Sequence, residues 1–219
     1  ASLAAAAHAE TYAMVVGIND YPDRTDQAGN PLVDENGKPV SAKLRGCVND
    51  SKNVFTFLTE KNGVKKENVA MLLDGDANKD KFLSTIKGQL GKLQPGDQFL
   101  FFFSGHGTRI SDKESKDADG KGSAIVLRDY VLVRGNVFGE LARSLSGAGI
   151  KSTFLFDSCF AGGMSRDTNI YGFEGARKKN IDLDALKQKA FAIPDQELVK
   201  LATGKPKSAD AAPYAFIYA

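Results

Sequence analysis

Two glycine-containing motifs carry the residue types that nucleophilic catalysis requires. They are Ser104-Gly105-His106-Gly107 and Asp157-Ser158-Cys159-Phe160-Ala161-Gly162-Gly163. A cysteine reacts as its thiolate and has a pKa of about 8.5 when free, so Cys159 needs a base or a positive partner. His106 is the only histidine outside the N-terminal segment Ala1–Glu10, which makes it the candidate base. The alternative is an inert buried cysteine near a core histidine.

The residues around this pair favour acyl chemistry. Glycines on either side of His106 and after Cys159 allow a substrate backbone to approach closely. The backbone amides of Gly107 and Cys159 are candidates to stabilise an oxyanion. The predicted catalytic residues are therefore His106, Cys159 and Gly107.

Both motifs directly follow apolar runs that predict buried strands. Phe99–Phe103 ends at the first motif and Thr153–Phe156 ends at the second. In parallel sheets ligands bind beyond the carboxyl ends of the strands, so both motifs are expected at one edge. Further strands are predicted at Tyr12–Ile18, Val69–Leu73 and Tyr214–Tyr218, a small ribbon at Val126–Val133, and helices over about 48–62, 80–93 and 137–145.

Apolar strands separated by helical patterns are typical of a three-layer α/β/α sandwich around a mainly parallel sheet. The 219 residues with 42% hydrophobic content suit one such domain, which is expected over residues 10–219. Loops are predicted at Asn19–Pro39, at the charged segment Asp112–Gly122 and at the Gly-rich basic segment Ala161–Asn180.

Composition argues against two classes of partner. The formal net charge is +2, with 29 basic against 27 acidic residues, so we expect no nucleic-acid partner. No apolar run approaches the roughly 20 residues that a membrane span needs, so no membrane partner is expected.

The N-terminal segment is alanine-rich. Residues 1–9, which end in Ala7-His8-Ala9, resemble the end of a secretory signal peptide. That interpretation predicts a periplasmic or secreted protein. The alternative is a cloning remnant or a disordered leader, which leaves a cytoplasmic location open.

The cysteine count excludes a disulfide framework. Cys47 and Cys159 are the only cysteines. A structural zinc site normally takes four Cys or His ligands, and the chain has four such residues in total, one of them in the leader, so no structural zinc site is expected. Lone thiols in an exported protein need a reason, and catalysis provides one for Cys159.

These motifs are similar to the signatures of caspase-like cysteine peptidases of the metacaspase and bacterial orthocaspase branch. The spacing of about 50 residues from His to Cys agrees with the caspase pattern. Two more segments resemble that branch, Val15-Val16-Gly17-Ile18-Asn19 and Leu44-Arg45-Gly46-Cys47-Val48-Asn49-Asp50, and the resemblance runs from about Tyr12 to Arg166. It implies a peptidase that cleaves after Arg or Lys.

By this resemblance the S1 pocket contains Asp50 and Asp157, lined by Cys47 and Ser104. Two carboxylates in a cleft complement a guanidinium or an ammonium group. Asp50 has the alternative of a helix-capping or surface aspartate, and Asp157 that of a residue that only orients its loop. Cys47 close to Cys159 would also allow an inactivating disulfide.

The family comparison bears on processing and on calcium. Arg166 and Arg177-Lys178-Lys179 are candidate self-cleavage sites, with a solvated basic loop as the alternative. Because the chain ends at Tyr214–Ala219, the pocket-completing segment of the family is expected to be missing, and a C-terminal small-subunit segment is a candidate partner.

Calcium is disfavoured as a cofactor. Asn136-Val137-Phe138-Gly139-Glu140 lacks the paired aspartates of the family, and Gly122-Ser123 replaces an Asp-Glu pair. The acidic loop of Asp112, Glu114, Asp117 and Asp119 does not fit an EF-hand. No cofactor and no metal site are therefore predicted.

The leading hypothesis is a cysteine endopeptidase acting on polypeptides with a basic P1 residue through His106 and Cys159. A catalytically silent caspase-like scaffold or partner-binding module is the second hypothesis. An esterase or transferase with the same cysteine chemistry is the third, since a fold does not dictate the reaction.

Overall fold

The structure, a computed structural model, describes residues 9–23, 25, 28–39, 41–111, 121–158, 193, 198, 200, 208 and 211–218. Its main sheet has five parallel strands in the order β2-β1-β3-β7-β8. They are β1 Thr11–Gly17, β2 Val69–Leu73, β3 Gln98–Ser104, β7 Lys151–Asp157 and β8 Tyr214–Tyr218. The predicted parallel sheet and its strands are confirmed.

Helices cover both faces of this sheet. They are α1 Cys47–Thr56, α2 Lys79–Lys92 and α3 Gly135–Gly147. A π-helical turn, Phe57–Lys61, extends α1, and short 3-10 turns, Lys66–Asn68 and Asp74–Asp76, flank β2. The three-layer arrangement of a caspase-like fold is therefore confirmed.

Each face has its own apolar cluster because side chains alternate along a strand. On the α1 face, Leu58 packs with Ala13, Val15 and Phe102. On the other face a larger cluster contains Phe101, Phe138 and Phe156, with ring centroids 5.1 Å apart for Phe101–Phe138 and 5.0 Å for Phe138–Phe156. Phe138 comes from α3, so this aromatic cluster fixes α3 against β3 and β7.

A second, antiparallel sheet was only partly predicted. It consists of β4 Gly107–Ser111, β5 Lys121–Val126 and β6 Leu132–Arg134 in that order. The predicted ribbon at 126–133 is shifted, since β5 already begins at Lys121 and residues 127–131 form the turn. No strand was predicted for β4, because its sequence Gly-Thr-Arg-Ile-Ser is short and largely polar.

None of the helices in the described part of the chain is long and apolar enough to cross a membrane.

Candidate active site

The carboxyl ends of the central strands lie level with one another. Gly17 of β1 pairs with Ser104 of β3, and Ser104 pairs with Asp157 of β7. The amide of Gly105 continues this junction by donating to the Asp157 carbonyl at 3.3 Å. The register therefore starts both motifs at the same height on adjacent strands, as the parallel-strand argument predicted.

Two carboxylates converge on the Ser104 hydroxyl. Its Oγ donates to Asp157 Oδ2 at 2.8 Å, and Asp50 Oδ2 lies 3.4 Å from the same oxygen. A hydroxyl carries one proton, so only one carboxylate receives a short hydrogen bond. Ser104 is buried, whereas both aspartates are partly accessible. The site thus has two partly accessible carboxylates next to one neutral, buried hydroxyl group.

Helix α1 brings Asp50 to this edge through a close contact with β1. A Cβ on Gly17 would lie 2.3 Å from Ser51 Oγ and 2.6 Å from the Cys47 carbonyl oxygen. Only glycine allows the helix to lie this close. Asp50 occupies the first turn of α1, which begins after Gly46 (φ +105°) with no side-chain cap. Cys47 is fully buried at the same helix start.

The imidazole of His106 is oriented by a backbone carbonyl. His106 is 5% exposed, and its Nε2 lies 2.7 Å from the carbonyl oxygen of Ala42. Because a carbonyl oxygen can only accept, Nε2 must carry the proton. In the neutral ring Nδ1 is then the nitrogen with the lone pair, as a general base requires.

Tyr21 contacts both the backbone and the ring of His106. The amide of His106 donates to the Tyr21 hydroxyl oxygen at 2.9 Å, and that hydroxyl donates to the Val126 carbonyl at 2.9 Å. The two ring centroids are 4.6 Å apart with an interplanar angle of 54°. Tyr21 is fully buried, and burial raises its pKa well above the ordinary value of 10.0. It therefore remains a neutral phenol that can donate.

The segment that contains Tyr21 is held at several points. Asp74, at the end of β2, accepts from the amides of Asn19 and Asp20 at 2.7 and 2.8 Å. The Leu44 amide donates to the Asn19 carbonyl at 2.8 Å, which holds the Ala42 segment beside it.

The turn between β5 and β6 closes over the same segment. Tyr130 donates to the Pro22 carbonyl at 2.6 Å, and Arg128 pairs with Asp20 at 3.3 Å. Lys43 also pairs with Asp20 at 3.3 Å. Hydrogen bonds from Lys43 and then Arg128 lower the pKa of Asp20 below its ordinary value of 3.8.

The amide of Gly107 faces away from its strand partner. Gly107 pairs with Ile125, and the Val126 amide donates to the His106 carbonyl at 2.9 Å. That bond identifies Gly107–Ile125 as a non-hydrogen-bonded pair of the antiparallel ladder, in which backbone groups point outward. Its amide is therefore directed to the edge of β4 and not into the sheet.

Several predicted residues lie outside the described part of the chain. Cys159 follows Ser158, the last described residue after β7, and Arg166 and Arg177-Lys178-Lys179 are further on. The acidic residues at 112–119 are also outside it. Among the described residues no three His, Cys, Asp or Glu side chains form a group that would bind a metal ion. The roles of these residues and the expectation about calcium stay predictions.

Sequence reasoning missed Tyr21, Ala42 and Asp74. Tyr21 stands between Asp20 and Pro22 in what reads as a polar loop. Ala42 contributes only its backbone carbonyl, which no side-chain pattern can indicate. Asp74 follows a predicted strand on the side where polar residues meet, and that position was the one available signal.

Comparison with known proteins finds a matching protein family and several relatives. A family model described as the metacaspase, peptidase C14 domain matches residues 12–167. Metacaspase-1B of Aspergillus niger is 32% identical over 147 residues, 63% of this chain and 33% of the relative. Metacaspase-1A of Neurospora crassa is 30% identical over 148 residues, 63% of this chain and 32% of that protein. The chain thus spans about a third of the length of these curated relatives.

A solved structure supports the fold. The crystal structure of a Geobacter sulfurreducens protein matches with a TM-score of 0.50 and 23% identity, covering 68% of this chain and 50% of the other. At that identity the match supports the arrangement of strands and helices alone.

Proposed function

Since the chain belongs to the metacaspase family of C14 peptidases, we propose that it is a cysteine endopeptidase that cleaves polypeptides after Arg or Lys. The observation that carries the proposal is the convergence of Asp50 and Asp157 on the hydroxyl of Ser104, which precedes His106 by two residues in the same motif. A guanidinium presents several donors in a planar fork, which two carboxylates can accept together.

The proposed acylation begins with proton transfer from the Cys159 thiol to Nδ1 of His106. The thiolate attacks the scissile carbonyl carbon, and the carbonyl electron pair moves onto oxygen. The Gly107 amide, directed away from β5, is the described candidate donor to that oxyanion. His106 then gives its proton to the leaving amine, and the peptide C–N bond breaks to leave a thioester.

Deacylation uses the same base. His106 removes a proton from water as the water attacks the thioester, and the collapse of the second tetrahedral species expels the Cys159 thiolate. The thiolate recovers the proton from His106. Throughout this cycle the Ala42 carbonyl keeps the proton on Nε2, so Nδ1 can repeatedly accept and donate.

The chain geometry is compatible with this pairing. Ser104 and Asp157 lie opposite each other in the register, and His106 and Cys159 each follow two residues later in the sequence. Two residues span at most about 7 Å. His106 therefore lies close to the end of β3, and the sequence position of Cys159, two residues after Asp157, supports pairing the two residues.

The direct test is hydrolysis of fluorogenic peptides that end in Arg, Lys or Asp, under reducing conditions, with and without calcium. Wild type is compared with Cys159→Ala. Cleavage after Arg or Lys that disappears in the variant supports the proposal, and equal rates in both calcium arms support calcium independence. If no peptide is turned over while Cys159 is reduced, the endopeptidase proposal is rejected and a silent scaffold becomes the leading hypothesis.

A thiol-labelling experiment separates the two cysteines. Cys47 is fully buried, so iodoacetamide should modify the native chain at Cys159 alone. Labelling of Cys47 at a similar rate would contradict the assignment of Cys159 as the reactive thiol. The variant Cys47→Ser is the matched control, because it should retain the single labelling event.

A further inference from the structure

We propose that Tyr21 is a positioning residue for His106, which holds the imidazole in the orientation and tautomer that general-base catalysis requires. This rests on the proposed function, in which Nδ1 of His106 accepts the thiol proton. No sequence motif pointed to Tyr21, which precedes His106 by 85 positions.

The first argument is that one side chain fixes two parts of His106. The Tyr21 hydroxyl accepts from the His106 amide at 2.9 Å, and its ring lies 4.6 Å from the imidazole centroid. The backbone bond fixes where the side chain starts, and the ring contact limits how the imidazole turns.

The second argument concerns the hydroxyl, which a phenylalanine lacks. Its proton is given to the Val126 carbonyl at 2.9 Å, so an oxygen lone pair faces the His106 amide. The Val126 amide in turn donates to the His106 carbonyl at 2.9 Å. Tyr21, Val126 and His106 thus form a closed set of buried hydrogen bonds. Removal of the Tyr21 hydroxyl takes one hydrogen-bond partner from the His106 amide and one from the Val126 carbonyl.

The third argument is the space left for the hydroxyl. A Cβ on Gly105 would lie 2.7 Å from the Tyr21 hydroxyl and 2.7 Å from the Phe103 ring. The glycine before His106 therefore leaves the space that the Tyr21 hydroxyl occupies. A second variant, Gly105→Ala, should push the Tyr21 hydroxyl away from the His106 amide and leave the Tyr21 side chain chemically unchanged.

The consequence concerns the proton on the ring. The bond from Nε2 to the Ala42 carbonyl requires the ring to keep its present angle. If the backbone and ring of His106 gain freedom, the tautomer with the proton on Nδ1 becomes populated, and that form cannot accept the thiol proton. Positioning by Tyr21 should therefore affect kcat and not KM.

The test compares Tyr21→Phe with Tyr130→Phe. Tyr130 is the matched control because its hydroxyl anchors the same segment by donating to the Pro22 carbonyl at 2.6 Å. The chain has two histidines, so in a His8→Gln background long-range ¹H–¹⁵N NMR reads the tautomer of His106 alone. Activity on an Arg peptide gives kcat and KM.

Wild type and Tyr130→Phe should show a protonated Nε2 and an unprotonated Nδ1. Tyr21→Phe should show mixed tautomers and a kcat lower by about tenfold, the equivalent of one lost hydrogen bond, with KM unchanged. An unchanged tautomer and kcat in Tyr21→Phe would overturn the proposal. So would equal losses in both variants, because anchoring of the segment would then suffice.

Two further outcomes remain decisive. If Tyr21→Phe does not fold, Gly105→Ala should give the mixed-tautomer spectrum in its place. The proposal is refuted if the Gly105→Ala spectrum equals that of wild type, or if wild type itself has the proton on Nδ1. If wild type cleaves no peptide, the proposed function fails on its own. The NMR comparison still decides whether Tyr21 controls the imidazole.

Discussion

Replacing Asp157 by asparagine should reduce selectivity for a positively charged P1 side chain without unfolding the chain. The substitution keeps the shape of the side chain, and an amide oxygen can still accept from the Ser104 hydroxyl, now 2.8 Å from Asp157 Oδ2. The negative charge is lost, and one acceptor oxygen becomes an NH2 donor. Because Asp50 and Asp157 both lie next to the Ser104 hydroxyl, the variant also removes repulsion between two neighbouring carboxylates.

The size of the effect follows from the lost charge-assisted hydrogen bond. Such bonds contribute about 1.5–3 kcal/mol, so kcat/KM for an Arg substrate should fall by roughly 10- to 150-fold. A citrulline substrate, which is neutral and nearly isosteric with Arg, does not benefit from that charge. The ratio of kcat/KM for Arg over citrulline should therefore fall by a similar factor.

The assay measures this ratio in wild type, Asp157→Asn and Glu67→Gln. Glu67 is an exposed residue of the 3-10 turn before β2, at the opposite end of the sheet, and loses the same charge. Its variant should keep the wild-type ratio. If Asp157→Asn lowers both substrates equally, or lowers neither, the acidic pair does not bind P1 and the assignment of the pocket is wrong.

Three further predictions concern stability and pH. Gly17→Ala should destabilise the chain by about 1–3 kcal/mol in urea unfolding, because the added Cβ would lie 2.3 Å from Ser51 Oγ. The control Gly88→Ala lies in open space on α2 and should not destabilise the chain. Equal stability losses in the two variants would contradict the close approach of α1 to β1. Phe138→Ala should cost about 3–5 kcal/mol in the same assay, since Phe138 joins α3 to the aromatic cluster; a loss below about 1 kcal/mol would contradict that packing. NMR titration of Asp20 should give a midpoint below 3.8; because the folded pKa is lowered, its contribution to stability is present above pH 3.8 and disappears as the pH falls through the folded pKa, and a midpoint at or above 3.8 would refute the pairing.

The strand ends and their motifs were predictable because simple physical signals coincide there. The run Phe99–Phe103 is apolar without interruption, as a strand buried on both faces must be, and polar residues follow it immediately. The same holds for Thr153–Phe156. Parallel pairing then sets Ser104 opposite Asp157, so two motifs about 50 residues apart begin at one edge.

The residues that orient the histidine were not predictable by the same reasoning. Tyr21 and Ala42 reach His106 across 85 and 64 residues, through a loop whose path depends on Asp74 and on the turn at Tyr130. These contacts join segments that are far apart in the sequence, so no local pattern predicts them. Ala42 acts through a carbonyl that every residue possesses, so its identity contains no information about its role.

The site therefore depends on two kinds of information, the type of a residue and its position in the fold. The residues proposed to meet a substrate, the two aspartates beside Ser104, need particular side chains, and their types mark them in the sequence. Groups proposed to orient the imidazole are recognised by where they lie in the fold: one carbonyl sets the proton on Nε2, and one phenol, from what reads as a polar loop, holds the backbone of His106. The comparison of Tyr21→Phe with Tyr130→Phe measures that second kind directly, because both variants lose a hydroxyl from the same region: the Tyr21 hydroxyl accepts from the His106 amide, and the Tyr130 hydroxyl donates to the Pro22 carbonyl.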